Sequence, residues 1–200
     1  ALRMGRALAN LIHTEPEVFG LVALMEIQIS RFKARTNTEG EMILLLDLDR
    51  SLWNQEHINR GTNSLKKAED LGGTLGIYAL QASIAACHAI ADTAEKTNWE
   101  RISALYDALS EIAPSPVVEL NRAVAISMVY GPLAGLEIVE SLLLEPALKN
   151  YHLLPSVKGN FLLKLGRKRE AMEEFQRASL LTQNVQEQKL LLKQVRDCME

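Results

Sequence analysis

The sequence predicts an all-α fold built from antiparallel helical hairpins, and three observations carry that prediction. Leu and Ala are abundant while aromatics make up only 5% of the 200 residues, a balance that favours helix over strand. Helix start and stop signals are legible along almost the whole chain. They also recur: Gly131 and Gly166 lie 35 residues apart, and the Ala113-Pro114 and Glu145-Pro146 steps lie 32 apart.

In chain order, helices are predicted near 2–13, 15–34, 51–70, 76–91, 98–113, 116–130, 132–144, 150–165, 168–181 and 184–199. Thr14 and Glu17 have capping-box spacing, and Pro16 sits in the first turn, where its missing N–H costs nothing. Thr97 and Glu100 repeat that spacing, as do Asn184 and Glu187. Ser115 can cap the helix that opens at Pro116. Gly131 and Gly166 fall just past helix ends, where a left-handed conformation is wanted, and Pro132 starts the next helix. "RTNTEG" (35–40) and "LGGTLG" (71–76) read as polar turns. "MILLLD" (42–47) is too short for periodicity to choose between strand, helix and extended loop.

A period near 34 residues is the signature of tetratricopeptide-type hairpins. The pattern is sharpest in "KGNFLLKLGRKREAMEEFQRASLL". There Gly159 permits close helix approach, Gly166 makes the turn, and Ala171, Phe175 and Ala178 share one face at i, i+4 and i+7. Two small residues flank one large one, as stacking of hairpin on hairpin requires. It weakens at 116–144 and is degenerate before 99. The expected architecture is therefore a tetratricopeptide-like right-handed superhelix of about ten helices. It is read as a single domain over 1–200, with divergent hairpins at 1–75, regular ones at 76–181, and a capping helix at 184–199 that shows one polar face.

Charge and cysteine usage narrow the function. The net charge of −3 offers no basic surface to a phosphate backbone, so direct DNA binding is not expected. No apolar run reaches the ~18 residues of a membrane span. Cys87 and Cys198 are far apart and outside any CxxC spacing, which suits a reduced, cytoplasmic setting. The chain opens "ALRMGRALANL", already helical, and reads as part of a longer polypeptide.

No catalytic constellation emerges. The four histidines, at 13, 57, 88 and 152, lack HxxxH or HExxH spacing. Cys87 and His88 are adjacent, so on a helix they diverge by about 100° and cannot form a nucleophile–base pair; Cys87 reads as a small core residue. "LGGTLG" lacks the Lys-Ser/Thr of a phosphate loop. No cofactor, metal or catalytic residue is assigned.

Two groups of residues are candidates for partner contact. In "LDLDRSLWNQEH" (46–57), Asp47, Asp49, Arg50 and Trp53 cluster before a helix. A purely structural reading has Asp49 or Ser51 capping that helix, Arg50 pairing with a carboxylate and Trp53 entering the core. A functional reading makes the segment a polar contact surface, and the Asp47-x-Asp49 pair could also hold a cation. Asn121, Arg122, Asn160 and Lys164 lie on the first helices of hairpins, which line the concave face of such stacks. Asn160 and Lys164, at i and i+4, project together.

Taken in order, "EPEVFGLVALMEIQISR" (15–31), "LDLDRSLWN" (46–54), "YALQASIAACHA" (78–89), "NWERISALYDALSEIAPSPVVELNRAVA" (98–125), "GPLAGLEIVESL" (131–142) and "YHLLPSVKGNFLLKLGRKREAMEEFQRA" (151–178) resemble a known family. It is the C-terminal tetratricopeptide-like extension of bacterial sigma factors of the extracytoplasmic-function type. The resemblance implies a regulatory part of a protein acting in transcription initiation. The N-terminal sigma regions of the same polypeptide, core RNA polymerase, or a regulatory protein or peptide would be its partners. The acidic-Arg-Trp segment recurs in that family, and no catalytic residues are implied. An autonomous tetratricopeptide adaptor holding a partner peptide in its groove is the alternative.

Overall fold

A computed structural model describes residues 1–199. Those residues form ten α-helices, four short 3-10 turns and one isolated antiparallel bridge between Thr36 and Met42. The helices group into two compact units, divided at the Ala113-Pro114 step, one of the two Xaa-Pro breaks that punctuate the sequence. Helix ends drift by up to four residues from their predicted positions. The element order and the number of helices agree with the sequence reading.

The first unit holds α1 (Leu2–Leu11), α2 (Pro16–Ser30), α3 (Gln55–Asp70), α4 (Ile77–Ala89) and α5 (Trp99–Ile112). Its central element is α2, apolar on nearly every side, as a helix surrounded by others must be. It packs against α1, α3 and α4. Small residues set the spacing. A Cβ on Gly20 would lie 2.7 Å from the Ala79 nitrogen, and one on Gly61 2.5 Å from Ile27 Cγ1. The core between these helices is mainly alanine: Ala23, Ala79, Ala82, Ala85 and Ala86, with Ile27 and Leu65.

Capping in this unit departs from the predicted boxes. Thr14 does not cap α2, and Glu17 does not reach back along its own helix. Glu17 instead accepts hydrogen bonds from the Tyr78 and Ala79 nitrogens, at 2.9 and 3.2 Å. It thereby satisfies the free N–H groups that open α4. For α5 the cap is Asn98, whose side chain accepts from Arg101 N at 2.9 Å, one residue beyond the predicted Thr97. "MILLLD" is neither a regular strand nor a helix. Met42 makes the isolated bridge, Ile43 N donates to Arg35 O at 3.0 Å, and Leu45–Asp47 closes a 3-10 turn.

The second unit holds α6 (Pro116–Tyr130), α7 (Pro132–Ser141), α8 (Leu153–Lys164), α9 (Lys168–Leu181) and α10 (Val185–Asp197). Helices α6/α7 and α8/α9 are hairpins, α7 packs on α8, and α10 packs on α9. One apolar cluster runs from Leu120 to Cys198 and includes the fully buried Ala171, Phe175 and Ala178. The hairpin motif works as read. The Phe175 ring lies so close over Gly159 that a Cβ there would be 2.8 Å from Cε1. The same device recurs one hairpin earlier, where a Cβ on Gly135 would meet Phe161 Cε2 at 2.8 Å. This close approach answers why small residues stand where large ones might be expected.

Turn chemistry in this unit also follows the sequence. Gly166 takes φ +77°, with Arg167 N donating to Leu162 O at 2.9 Å and Gly166 N to Leu163 O at 3.0 Å, the paired bonds of a Schellman ending. Ser115 caps α6 through Val117 N, and Asn184 caps α10 through Gln186 N and Glu187 N. Glu187 does not close the box at Asn184. Its carboxylate takes the Thr182 hydroxyl at 2.6 Å and lies 3.0 Å from His152 Nε2.

Candidate functional site: the strap between α2 and α3

Residues 31–54 leave α2, turn back on themselves and enter α3. The reversal is set by Asn37, whose side-chain oxygen accepts from Glu39 N and Glu41 N at 3.0 and 2.8 Å, and by Gly40 at φ +76°. Asn54 N then donates to Ser30 O at 2.9 Å, tying the strap's end to the end of α2. Ala34, Leu48 and Trp53 form its inner face, packed with Ile58 of α3. Two 3-10 turns, Leu45–Asp47 and Arg50–Leu52, carry mostly exposed side chains, and each is followed by a buried residue, Leu48 and Trp53.

Arg50 fastens the strap to α4. Its guanidinium donates to His88 O, to Ala91 O at 2.7 Å and to Thr97 Oγ1 at 3.3 Å, and stands 4.9 Å from the centre of the Trp53 ring. A helix C-terminus exposes unsatisfied carbonyls and the negative end of the dipole, so a cation there is doubly favoured. The expected carboxylate partner is replaced by these carbonyls, with Glu95 acting on Arg50 only through space.

One further expectation is corrected in the strap. Neither Asp49 nor Ser51 caps α3. Asn54 does, accepting from His57 N at 3.0 Å. Asp49 caps the 3-10 turn through Ser51 N at 2.9 Å, and hydrogen bonds from the Ser51 hydroxyl and then its backbone N–H hold the Asp49 carboxyl below the ordinary value. Asp47 is exposed. Among the described residues no group of three or more His, Cys, Asp or Glu is placed to hold a metal ion. Trp53 is only 4% exposed, as the purely structural reading of the segment has it. Among the described residues its indole N–H finds no acceptor, and Trp53 lines a half-open cavity of about 510 Å³ with Arg50, Gln55, Asn59 and Ala91.

Beneath the strap sits His88, edge-on to Trp99 at 5.1 Å between ring centres. Burial, with the nearby Arg31 and Arg50 charges, pushes its pKa down to about 4. Cys87 is a buried core residue with a free thiol, and burial raises its pKa.

A second polar cluster carries no motif that announces it. Glu26, 1% exposed, accepts from Arg6 Nε and meets His57 Nδ1, both at 2.6 Å. It joins α1, α2 and α3 through residues that share no motif. A carboxylate inside an otherwise apolar helix was the one available signal.

In the second unit the predicted groove residues divide. Asn121 is exposed on α6, and Arg122 is half-buried, 3.4 Å from Glu119 one turn back. Asn160 is engaged: its amide donates to Ser156 O at 2.9 Å and its oxygen accepts from Gln194 Nε2 of α10 at 3.3 Å. Lys164 is exposed, with Nζ 3.8 Å from Met128 Sδ. Asn160 and Lys164 thus share a helix face, but α10 already occupies the first of them.

Comparison with known proteins places the strap inside a recurring segment. Residues 1–69, which run from α1 through nearly all of α3, match DUF6596, a family of unknown function. Over 187 residues, 94% of its length, the chain is 43% identical to "Uncharacterized protein R00370" of Rhizobium meliloti (strain 1021). The matched part is 44% of that relative, so the chain spans less than half the length of the curated protein it resembles. No helix among the described residues is long and apolar enough to cross a membrane.

Proposed function

We propose that this chain is the regulatory, C-terminal protein-interaction region of an alternative RNA polymerase sigma factor, acting in transcription initiation in the bacterial cytoplasm. It works by contact and not by catalysis. The helices hold a surface against the promoter- and polymerase-binding sigma regions or against core polymerase, and so set whether polymerase is engaged. The observation that carries this reading is the strap. The acidic-Arg-Trp segment, which recurs in the resembled family, is clamped by Arg50 on α4 and by buried Trp53, while Leu46 and Asp47 face solvent. A surface loop held this firmly is what a specific interface needs. The greater length of the Rhizobium meliloti relative leaves room for sigma regions in a protein of this kind.

The regular α8/α9 hairpin favours a second reading, an autonomous adaptor taking a peptide on the α6 and α8 face. Affinity capture from bacterial extract with this chain as bait, read by mass spectrometry, separates the two. RNA polymerase subunits or sigma regions among the captured proteins support the first reading. Capture of one unrelated protein and neither of those supports the second.

A further inference from the structure

We infer that the outward face of the strap docks one amphipathic helix whose apolar stripe is flanked by Lys or Arg; the inference rests on the contact role proposed above. Four large apolar side chains stand out from this short segment: Phe32 is 70% exposed, Leu52 53%, Leu44 43% and Leu46 39%. Three of them, Phe32, Leu44 and Leu52, lie on stretches of chain that meet. The 3-10 turn holding Phe32 touches the one holding Leu52, and the Ile43 N to Arg35 O bond brings the chain at Leu44 back beside the residues that follow Phe32. Scattered exposed leucines need no explanation, but a group on one anchored element marks an interaction site.

Charge identifies the occupant. Asp47 and Asp49 are exposed between these leucines, and no cation pairs with either among the described residues. Lys33 and Arg35 lie at the α2 end of the strap, with Arg35 held by Gln28. The cation that follows Asp49, Arg50, is turned inward to the carbonyls of α4. Unneutralised carboxylates set between exposed leucines fit a helix with an apolar stripe and basic edges, the helix-in-groove mode with charges fixing register. An acidic or purely polar helix would leave the leucines wet or set like charges together.

The test uses the whole chain and three labelled peptides, each about 18 residues long, roughly five helical turns. One is an amphipathic Leu/Lys helix, one carries Glu for Lys, and one carries Ser for Leu. In anisotropy titrations at about 0.1 M salt, the Leu/Lys peptide is expected to bind at least about tenfold more tightly than either of the others. Leu46→Ser with Leu52→Ser weakens it by about tenfold, and Asp47→Lys by about threefold, an effect that shrinks in higher salt. If the double variant melts early, Phe32→Ser at the most exposed position is read in its place. Unchanged binding in these variants, or equal binding of the Glu peptide, overturns the proposal. Polymerase capture without this peptide selectivity would sink the surface and leave the proposed function. Selectivity without capture of polymerase or sigma regions would do the reverse.

Discussion

The helices after Pro114 close on one apolar cluster in which Phe161 and Phe175 each lie over a glycine of the preceding helix. Those before it close on an alanine core, a separate cluster under the strap, and a carboxylate at 1% exposure. The second unit does contain ion pairs, among them Lys158 to Glu174 at 2.7 Å, but those side chains keep some contact with solvent. The first unit is joined by polar groups far apart in sequence: Arg6 to Glu26, His57 to Glu26, Glu17 to Tyr78, and Arg50 to Ala91. The second unit is a repeat held mainly by shape, with Gln194 to Asn160 as a polar tie across 34 positions. The other is held by specific hydrogen bonds, and it carries the anchored surface.

If that contrast is right, the two units fail in different ways. The largest effect falls on the repeat. Ala178 is fully buried against its neighbours, so Ala178→Arg forces both bulk and charge into a close contact and should cost about 4 kcal/mol or more. A denaturation curve unchanged by this substitution would refute the face assigned to Ala171, Phe175 and Ala178.

The next effect belongs to the first unit and depends on pH. His88 has its folded pKa lowered to about 4 from an ordinary 6.5. The unfolded chain therefore takes up a proton first. The native state bears no penalty above pH ~6.5 and loses stability as pH falls from there toward ~4, by about 3 kcal/mol in all. His88→Phe, which keeps a ring against Trp99, should flatten that part of the pH–stability profile relative to wild type. Identical slopes for the two proteins would mean that His88 is not held neutral.

Glu26→Ala comes third, at about 2–3 kcal/mol. Breaking a buried pair leaves charge uncompensated, but Arg6 is 39% exposed at its side chain and can turn to water. A chemical melt within a few tenths of wild type would show that α1 and α3 need no ionic tie to α2. The smallest is Arg50→Ala, about 1–3 kcal/mol, from carbonyls at the end of α4 losing their donor. Its clearer sign is spectroscopic. Freed from Arg50, Trp53 should shift its emission to the red, and an unshifted spectrum would show that the strap is held without it.

The same contrast explains what could be read in advance. Every signal in the second unit is local: Gly166 follows its helix, Ser115 precedes its own, and Phe175 meets Gly159 within one hairpin. Periodicity and turn chemistry expose such features. In the first unit the deciding contacts cross 20 to 61 positions, and side-chain type alone does not name the partner. So Trp53 was legible as core, while Arg50 was assigned a carboxylate and found carbonyls. Glu17 had the spacing of a local cap and serves another helix. Asn98 took the place of Thr97 because Thr97 is buried and receives Arg50. The strap's candidate residues were visible as a cluster. The outward Phe32 and Leu52 were not, because exposure of an apolar residue leaves no mark in sequence.

The most direct test is hydrogen exchange of this chain with and without bacterial core RNA polymerase, resolved to peptides. The account predicts added protection concentrated in residues 31–54, with residues 116–199 exchanging as they do alone. Protection confined to 116–199, or none anywhere, would contradict it.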